Sequence, residues 1–188
     1  MKIVNGLDNL FSFNSVVTLS FFAICLVLLI IDKICRGKLS TFFSVRRGSI
    51  FNPMTYIRFV TSSFVHENWQ HFSGNFLYIL LLGPMLEEKY GGLNLIYMML
   101  VTTVASSLVH VIFSKKAALG ASDITFMMII LSSIVNIQSG KIPITLVLII
   151  LFYVVGEVID GITKKDNISH LSHIVGAICG VVFGYYFL

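Results

Sequence analysis

The clearest packing signal in this sequence is ISHLSHIVGAICGVVFG, residues 168–184. After two histidines it continues as an apolar segment in which glycine stands at every fourth position, at Gly176, Gly180 and Gly184. Residues four apart share one face of a helix, and a face without side chains lets a second helix approach closely. His173 lies on the same face. The segment therefore predicts a helix packed tightly against a partner, with a histidine directed at that partner.

The whole chain is too apolar for a soluble enzyme. Its 188 residues are 56% hydrophobic and 12% charged, whereas soluble proteins have about 25% charged residues. The net charge is +4, but the basic residues are scattered between apolar segments. This pattern indicates membrane-flanking charges and no nucleic-acid partner. The three cysteines have no CxxC spacing, so we expect neither a disulfide scaffold nor a cysteine-based zinc site.

Six charge-poor segments are long enough to cross a bilayer, since a membrane helix needs about 17 to 25 residues. The expected helices are, approximately, residues 15–31, 71–88, 93–113, 120–138, 142–158 and 169–188. A long first loop, 32–70, contains aromatic and arginine residues that favour the headgroup region. We therefore predict one all-α integral membrane domain over residues 1–188, a six-transmembrane-helix bundle with a membrane-associated first loop.

Polar residues inside membrane segments are costly, so each is a candidate functional residue. His71 and Asn75 lie four residues apart and share one helical face. They act either as hydrogen-bond donors at a site or as links to neighbouring helices, and the two residues alone leave both open. Ser122 follows Gly120 and Ala121 at the start of the fourth segment. By itself it is most simply explained as a helix N-cap.

These residues gain a common explanation if the fourth segment is the partner of the glycine face. Ser122 and His173 would then meet, and a serine activated by a histidine is the minimal nucleophile and general base for acyl transfer. His71 and Asn75 would stabilise the oxyanion that develops. A site for acyl transfer would give these three sets of residues one explanation.

The same residues resemble the rhomboid family of intramembrane serine proteases, in its compact six-helix bacterial form. The resemblance covers about Pro53 to Gly184. Its marks are the position of Arg58 eight residues before His66, the spacing of His66, His71 and Asn75, the pair Glu87 and Gly91, the turn Gly120, Ala121, Ser122, and His173 before Gly176 and Gly180.

The resemblance implies a Ser122 and His173 dyad without a catalytic carboxylate. His71, Asn75 and the main-chain amide of Ser122 would form the oxyanion hole. Substrates of the family are single-pass membrane proteins whose helix unwinds into a site below the membrane surface, so the implied partners are such substrates and the lipid bilayer. No metal or organic cofactor is implied.

The resemblance also assigns supporting roles. His66 would support the first loop and a water-filled cavity, and Phe126 would pack against the catalytic imidazole. Arg58 and Glu87 would be structural.

Asp123 stands where the family normally has glycine. Its carboxylate would either crowd the site and hold His173 protonated, because an opposite charge favours the imidazolium, or point to water at the helix N-terminus and leave the dyad alone. We hypothesise reduced but not absent activity. The alternative function is therefore a catalytically impaired pseudoprotease that binds client transmembrane helices. A third function, that of an unrelated carrier or membrane scaffold, would require four residue spacings to match those of the family by coincidence.

Membrane orientation is predicted differently by two signals. Ten basic residues lie in the first, third and fifth loops, and the positive-inside rule would place these loops, with the site, in the cytoplasm. The resemblance implies a bacterial plasma membrane protein whose site opens on the extracytoplasmic side. We favour the second, because six of the ten charges lie in the long first loop. The sequence leaves the substrate identity and the oligomeric state open.

Overall fold

A computed structural model describes residues 15–49, 51–135, 144–149, 151 and 167–187. The elements in these ranges are helical apart from one isolated β-bridge. They are α1 (Val16–Ile34), α2 (Lys38–Phe43), α3 (Pro53–Thr61), a 3-10 turn (Ser62–Phe64), α4 (Trp69–Tyr90), α5 (Gly92–Phe113), α6 (Ser122–Ile134), α7 (Ile144–Ile149) and α8 (Asn167–Tyr186). The predicted all-α class is confirmed for the described part of the chain.

The region predicted as a first loop, 32–70, contains regular structure. It begins with the last turn of α1 and includes α2, α3 and the 3-10 turn. Helix α3 forms because Asn52 caps it, accepting a hydrogen bond from the amide of Met54 at 3.0 Å, and because Pro53 occupies the first helical position.

The other predicted segments are described to different extents. Helices α4, α5 and α8 occupy the second, third and sixth. Helix α6 begins at Ser122, two residues later than predicted, because the backbone of Gly120 is left-handed and that of Ala121 is not helical. Most of the predicted fifth helix, 142–158, lies outside the described residues, as does the end of the fourth.

Two of the described helices, α1 and α5, are long and apolar enough to cross a membrane. Helix α6 and residues 171–186 of α8 are apolar but shorter. The outward faces of α1 and α5 carry exposed large apolar side chains, including Val27 and Leu108. Apolar surface of this extent suits lipid rather than water.

Helix α6 is the central helix of the bundle. It packs most extensively against α8 and also contacts α4 and α5. Of its thirteen residues, all but Ser122, Ser132 and Ser133 are buried. Its apolar residues lie on every side, as is typical of a helix surrounded by others.

The glycine face of α8 packs directly against α6. A Cβ atom at Gly176 would overlap the main-chain carbonyl of Asp123, and one at Gly180 would lie 2.6 Å from the carbonyl oxygen of Met127. One at Gly184 would lie 2.7 Å from Ile134 Cγ2. The predicted partner of the glycine face, the fourth segment, is thereby confirmed.

At the other end of the bundle, Glu87 holds the start of α1. Its carboxylate accepts hydrogen bonds from the amides of Val17 and Thr18, at 2.9 and 3.0 Å, and from the Thr18 hydroxyl at 2.9 Å. Amides in the first turn of a helix have no intrahelical partner, and negative charge is favoured there. These contacts agree with the structural role expected of Glu87.

We expect Gly180→Ala to destabilise the protein, because the added methyl group would push α8 away from α6. Overpacking of this kind costs about 1 to 3 kcal/mol. The matched control is Gly74→Ala, because a Cβ atom at that helical glycine meets nothing within 4 Å. Thermal unfolding in detergent measures both variants.

Gly180→Ala should lower the melting temperature, whereas Gly74→Ala should leave it unchanged or raise it slightly, since alanine favours helix over glycine. Equal melting temperatures for the two variants would contradict the tight packing of α8 on α6.

Candidate active site

A polar cavity of about 740 Å³ opens at one end of α6. Its walls are the segment between α1 and α4, the end of α5, the turn at 116–120, and the starts of α4, α6 and α8. Serine and threonine side chains predominate in the lining, together with His71 and His110. The expectation that the first loop and the turn before Ser122 would wall a hydrophilic cavity agrees with this arrangement.

The turn that leads into α6 is held by the first loop. Val45 and Ala118 exchange two main-chain hydrogen bonds of 2.9 Å, forming the isolated bridge. The amide of Gly120 donates to the carbonyl of Ser62, also at 2.9 Å. Sequence analysis missed both contacts, because each joins main-chain atoms of distant residues and needs no particular side chain.

Gly120 allows His71 to approach this turn. The φ angle of Gly120 is +108°, and a Cβ atom there would overlap the imidazole of His71, with Nε2 at 2.6 Å. The position of His71 is set by Asn68, whose side chain accepts a hydrogen bond from the His71 amide at 2.8 Å and caps α4. The imidazole of His71 therefore lies over the backbone immediately before Ser122.

Asn75 lies one turn further along α4, on the face that carries His71. Its side chain is buried, and its Nδ2 atom makes no hydrogen bond to the described part of the chain. A buried amide donor without a partner is uncommon because losing water without replacement is costly. Asn75 therefore carries a buried amide donor that has no partner among the described residues.

Phe126 and His173 join the starts of α6 and α8. Their rings are stacked, with centroids 4.4 Å apart and planes inclined by 8°, as the family resemblance leads one to expect of Phe126. Ser122 is one turn before Phe126 on α6 and borders the cavity. Four residues singled out from the sequence, Ser122, His71, Phe126 and His173, are thus brought to one region of the bundle.

His66 packs edge-on against His71, with ring centroids 5.3 Å apart, and is itself buried. Burial, with a smaller contribution from the neighbouring His71, lowers the pKa of His66 to about 3. His66 is therefore neutral at physiological pH, and its contact with His71 is one of packing.

Arg58 stabilises the first loop. Its Nε atom donates to the carbonyl of Phe42 at 2.8 Å, and its guanidinium lies 5.6 Å from the centroid of the Phe42 ring. It joins α3 to α2, which agrees with a structural role.

Of the two arrangements left open for Asp123, the one in which its side chain is exposed to water at the helix N-terminus does not occur. Its side chain is buried, and its carboxylate accepts hydrogen bonds from the Ile124 amide at 2.9 Å and from the Thr103 hydroxyl at 3.3 Å. The Ser106 hydroxyl also bonds to it. The side chain is directed at α5, and His173 lies within its electrostatic range.

The buried polar face of α5 was not singled out from the sequence, although its residues recur at helical spacing: Thr102, Thr103, Ser106, Ser107 and His110. Of these, Ser106, Ser107 and His110 line the cavity. Nε2 of His110 contacts the carbonyl of Lys116 at 2.9 Å and so braces the turn before α6.

The fold and the cavity together define an all-helical membrane protein with a polar site enclosed among its helices. Comparison with known families identifies its class. Residues 53–188 match the Rhomboid domain family. The chain belongs to the rhomboid family.

Two curated relatives support this assignment. Rhomboid-like protein 11, chloroplastic, of Arabidopsis thaliana is 29% identical over 146 residues, which cover 70% of this chain and 52% of that protein. Rhomboid-related protein 1 of Caenorhabditis elegans is 30% identical over 139 residues, covering 68% of this chain and 39% of that protein. The chain thus spans about half the length of the first relative and less of the second.

We expect Gly120→Ala to destabilise the protein for two reasons, a strained φ angle and an overlap with His71. A left-handed backbone alone costs a residue other than glycine about 1 to 2 kcal/mol. Gly37→Ala isolates that cost, because Gly37 has a left-handed backbone, with φ +79° and ψ 11°, and the nearest atom to a Cβ atom there is Ser40 Oγ at 4.0 Å. Thermal unfolding compares the variants.

The double variant Gly120→Ala/His71→Ala should recover the part of the loss that is due to the overlap. If Gly120→Ala is no more destabilising than Gly37→Ala, and His71→Ala gives no recovery, the close approach of His71 to the turn is refuted.

Proposed function

We propose that this chain is an intramembrane serine endopeptidase that cleaves transmembrane segments of single-pass membrane proteins. The observation that carries the proposal is the stacking of Phe126 on His173, beside the contact of Gly176 with Asp123. Ser122 is one turn before Phe126 on α6, so the stacking of Phe126 on His173 supports a dyad of Ser122 and His173. Membership of the rhomboid family supports the proposal, since that family is known for serine intramembrane proteases.

In the proposed mechanism Ser122 is the nucleophile and His173 the general base. His173 takes the proton of Ser122 Oγ as the oxygen attacks the carbonyl carbon of the scissile peptide. His173 then gives that proton to the leaving amine, and an acyl group remains on Ser122. Water attacks the acyl group in the second half of the reaction, again with His173 as base.

The developing oxyanion needs donors that are already in place. The Nδ2 atom of Asn75, the imidazole of His71 over the Gly120 turn and the main-chain amide of Ser122 are the proposed donors. The buried, unpartnered Nδ2 atom of Asn75 supports this assignment.

The cavity supplies what hydrolysis within a bilayer requires. A volume of about 740 Å³ accommodates an extended peptide and water. Irregular backbone is tolerated at membrane depth only where protein or water surrounds it, so an unwound substrate helix needs such an enclosure. The proposed reaction uses no metal ion and no organic cofactor.

We also propose six membrane crossings, with the helices between α1 and α4 lying at the membrane surface. The face that carries the cavity is the extracytoplasmic one. The two relatives come from a plant and a nematode, so the proposal concerns the orientation and specifies no bacterial membrane.

Asp123 favours a second candidate function, a catalytically impaired protein that binds client transmembrane helices. Its buried carboxylate directly follows the proposed nucleophile and lies within electrostatic range of His173, at a position where the family resemblance leads one to expect glycine.

We expect the reconstituted protein to cleave a transmembrane reporter substrate. The substitutions Ser122→Ala and His173→Ala should each lower the cleavage rate at least about a thousandfold. Asn75→Ala should cost about a hundredfold or more, the usual loss for an oxyanion donor. The matched control is Ser133→Ala, since the hydrogen bond that the Ser133 hydroxyl makes within the described residues is to the Ile129 carbonyl of its own helix. Cleavage is measured in proteoliposomes.

Ser133→Ala should cleave at the normal rate. Helix binding without cleavage by the unmodified protein would favour the second candidate function. Cleavage that persists in Ser122→Ala would exclude Ser122 as the nucleophile.

We expect Cys35 to react with an impermeant thiol reagent in intact cells. Cys35 follows α1 on the cavity side of the bundle, whereas Cys25 is buried within α1. Cys35→Ser provides the control, and it should abolish labelling. Labelling that requires lysis would place the cavity face in the cytoplasm and contradict the proposed orientation.

A further inference from the structure

The mechanism above leaves the buried carboxylate of Asp123 unused, although it follows Ser122 directly. Three donors surround it, from the Ile124 amide and from the hydroxyls of Thr103 and Ser106. A carboxylate only accepts hydrogen bonds, so its lone pairs match such donors. Hydrogen bonds to a charged group in a buried setting are the strong ones. These hydrogen bonds therefore hold the carboxylate of Asp123 in one position relative to α5.

The hydrogen bonds continue from Asp123 to the first loop. The Thr103 hydroxyl, which contacts Asp123, also pairs with the hydroxyl of Ser63 in the 3-10 turn. Ser63 and Thr103 are both buried. One chain of contacts thus joins α6, α5 and the wall of the cavity.

Ser62, the residue before Ser63, is bonded to the turn that precedes Ser122. The carbonyl of Ser62 accepts a hydrogen bond from the amide of Gly120 at 2.9 Å. Ser122 is therefore flanked by two residues, Gly120 and Asp123, that are both tied to one short segment of the first loop.

We propose that Asp123 is a positioning residue for Ser122: through Thr103 and Ser63 it fixes the first turn of α6, and hence the direction of the Ser122 hydroxyl, in addition to the contact of Gly120 with Ser62. This inference rests on the proposed protease function. It reverses the expectation from the sequence, because replacing Asp123 by glycine now lowers the activity.

The test is steady-state cleavage of the transmembrane reporter by Thr103→Val, which keeps the shape of the side chain and removes the hydroxyl. We expect kcat to fall about tenfold, the effect of losing one hydrogen bond to a charged group, with KM unchanged because substrate contacts remain. Thr103→Ser restores the hydroxyl and should recover kcat. Asp123→Gly should lower kcat at least as much as Thr103→Val.

Thr102→Val is the matched control. Thr102 is the neighbouring residue on α5 and is fully buried, but its hydroxyl faces Cys179 of α8 and not Asp123. This variant should keep the normal kcat. Should Thr103→Val not fold, Ser63→Ala interrupts the same chain of hydrogen bonds at its other end and should also lower kcat.

If the unmodified protein cleaves the reporter and Thr103→Val has the same kcat as Thr102→Val, the positioning role is overturned. The protease function then stands. A higher kcat for Asp123→Gly would also overturn the positioning role. An unmodified protein that cleaves nothing would reject the protease function, and the inference would fall with it.

Discussion

The site depends on the close contact between two helices, α6 and α8. Only glycine at residue 176 permits the main-chain carbonyl of Asp123 to lie where it does. This contact fixes the position of α8 along the axis of α6. In a membrane, apolar surface gains little from leaving lipid, so small residues and close packing decide which helices associate. The position of the first turn of α6, which contains Ser122, relative to α8 follows from this contact.

The first loop region supplies the second constraint. Its bridge from Val45 to Ala118 and its bond from Ser62 to Gly120 hold the turn before α6 by main-chain atoms. Main-chain hydrogen bonds leave side chains available to line the cavity, which explains how a polar enclosure coexists with an apolar exterior. At the far end of the bundle, Glu87 fixes α1 against α4 by a separate set of bonds, so the site and the helix anchor are stabilised independently.

The sequence predicted much of this arrangement because the relevant signals are periodic or chemically conspicuous. Glycines four residues apart predicted the packed face of α8, and the spacing of His71 and Asn75 predicted a shared face of α4. The burial of Asp123 was harder to predict, because a carboxylate at a helix start usually faces water. Only the positions of Thr103 and Ser106 explain its burial. The contact of Ser62 with Gly120 has no side-chain signature and depends on how distant segments fold together.

The most direct test of the central claim, that Ser122 is a nucleophile activated by His173, is labelling of the detergent-solubilised protein with a fluorescent fluorophosphonate, followed by mass spectrometry to locate the adduct. The account predicts an adduct on Ser122 that is absent from Ser122→Ala and strongly reduced in His173→Ala. An adduct at another residue, or equal labelling of the three proteins, would contradict it. Labelling that appears only after Asp123→Gly would show a silenced protease and contradict both the activity and the positioning role of Asp123.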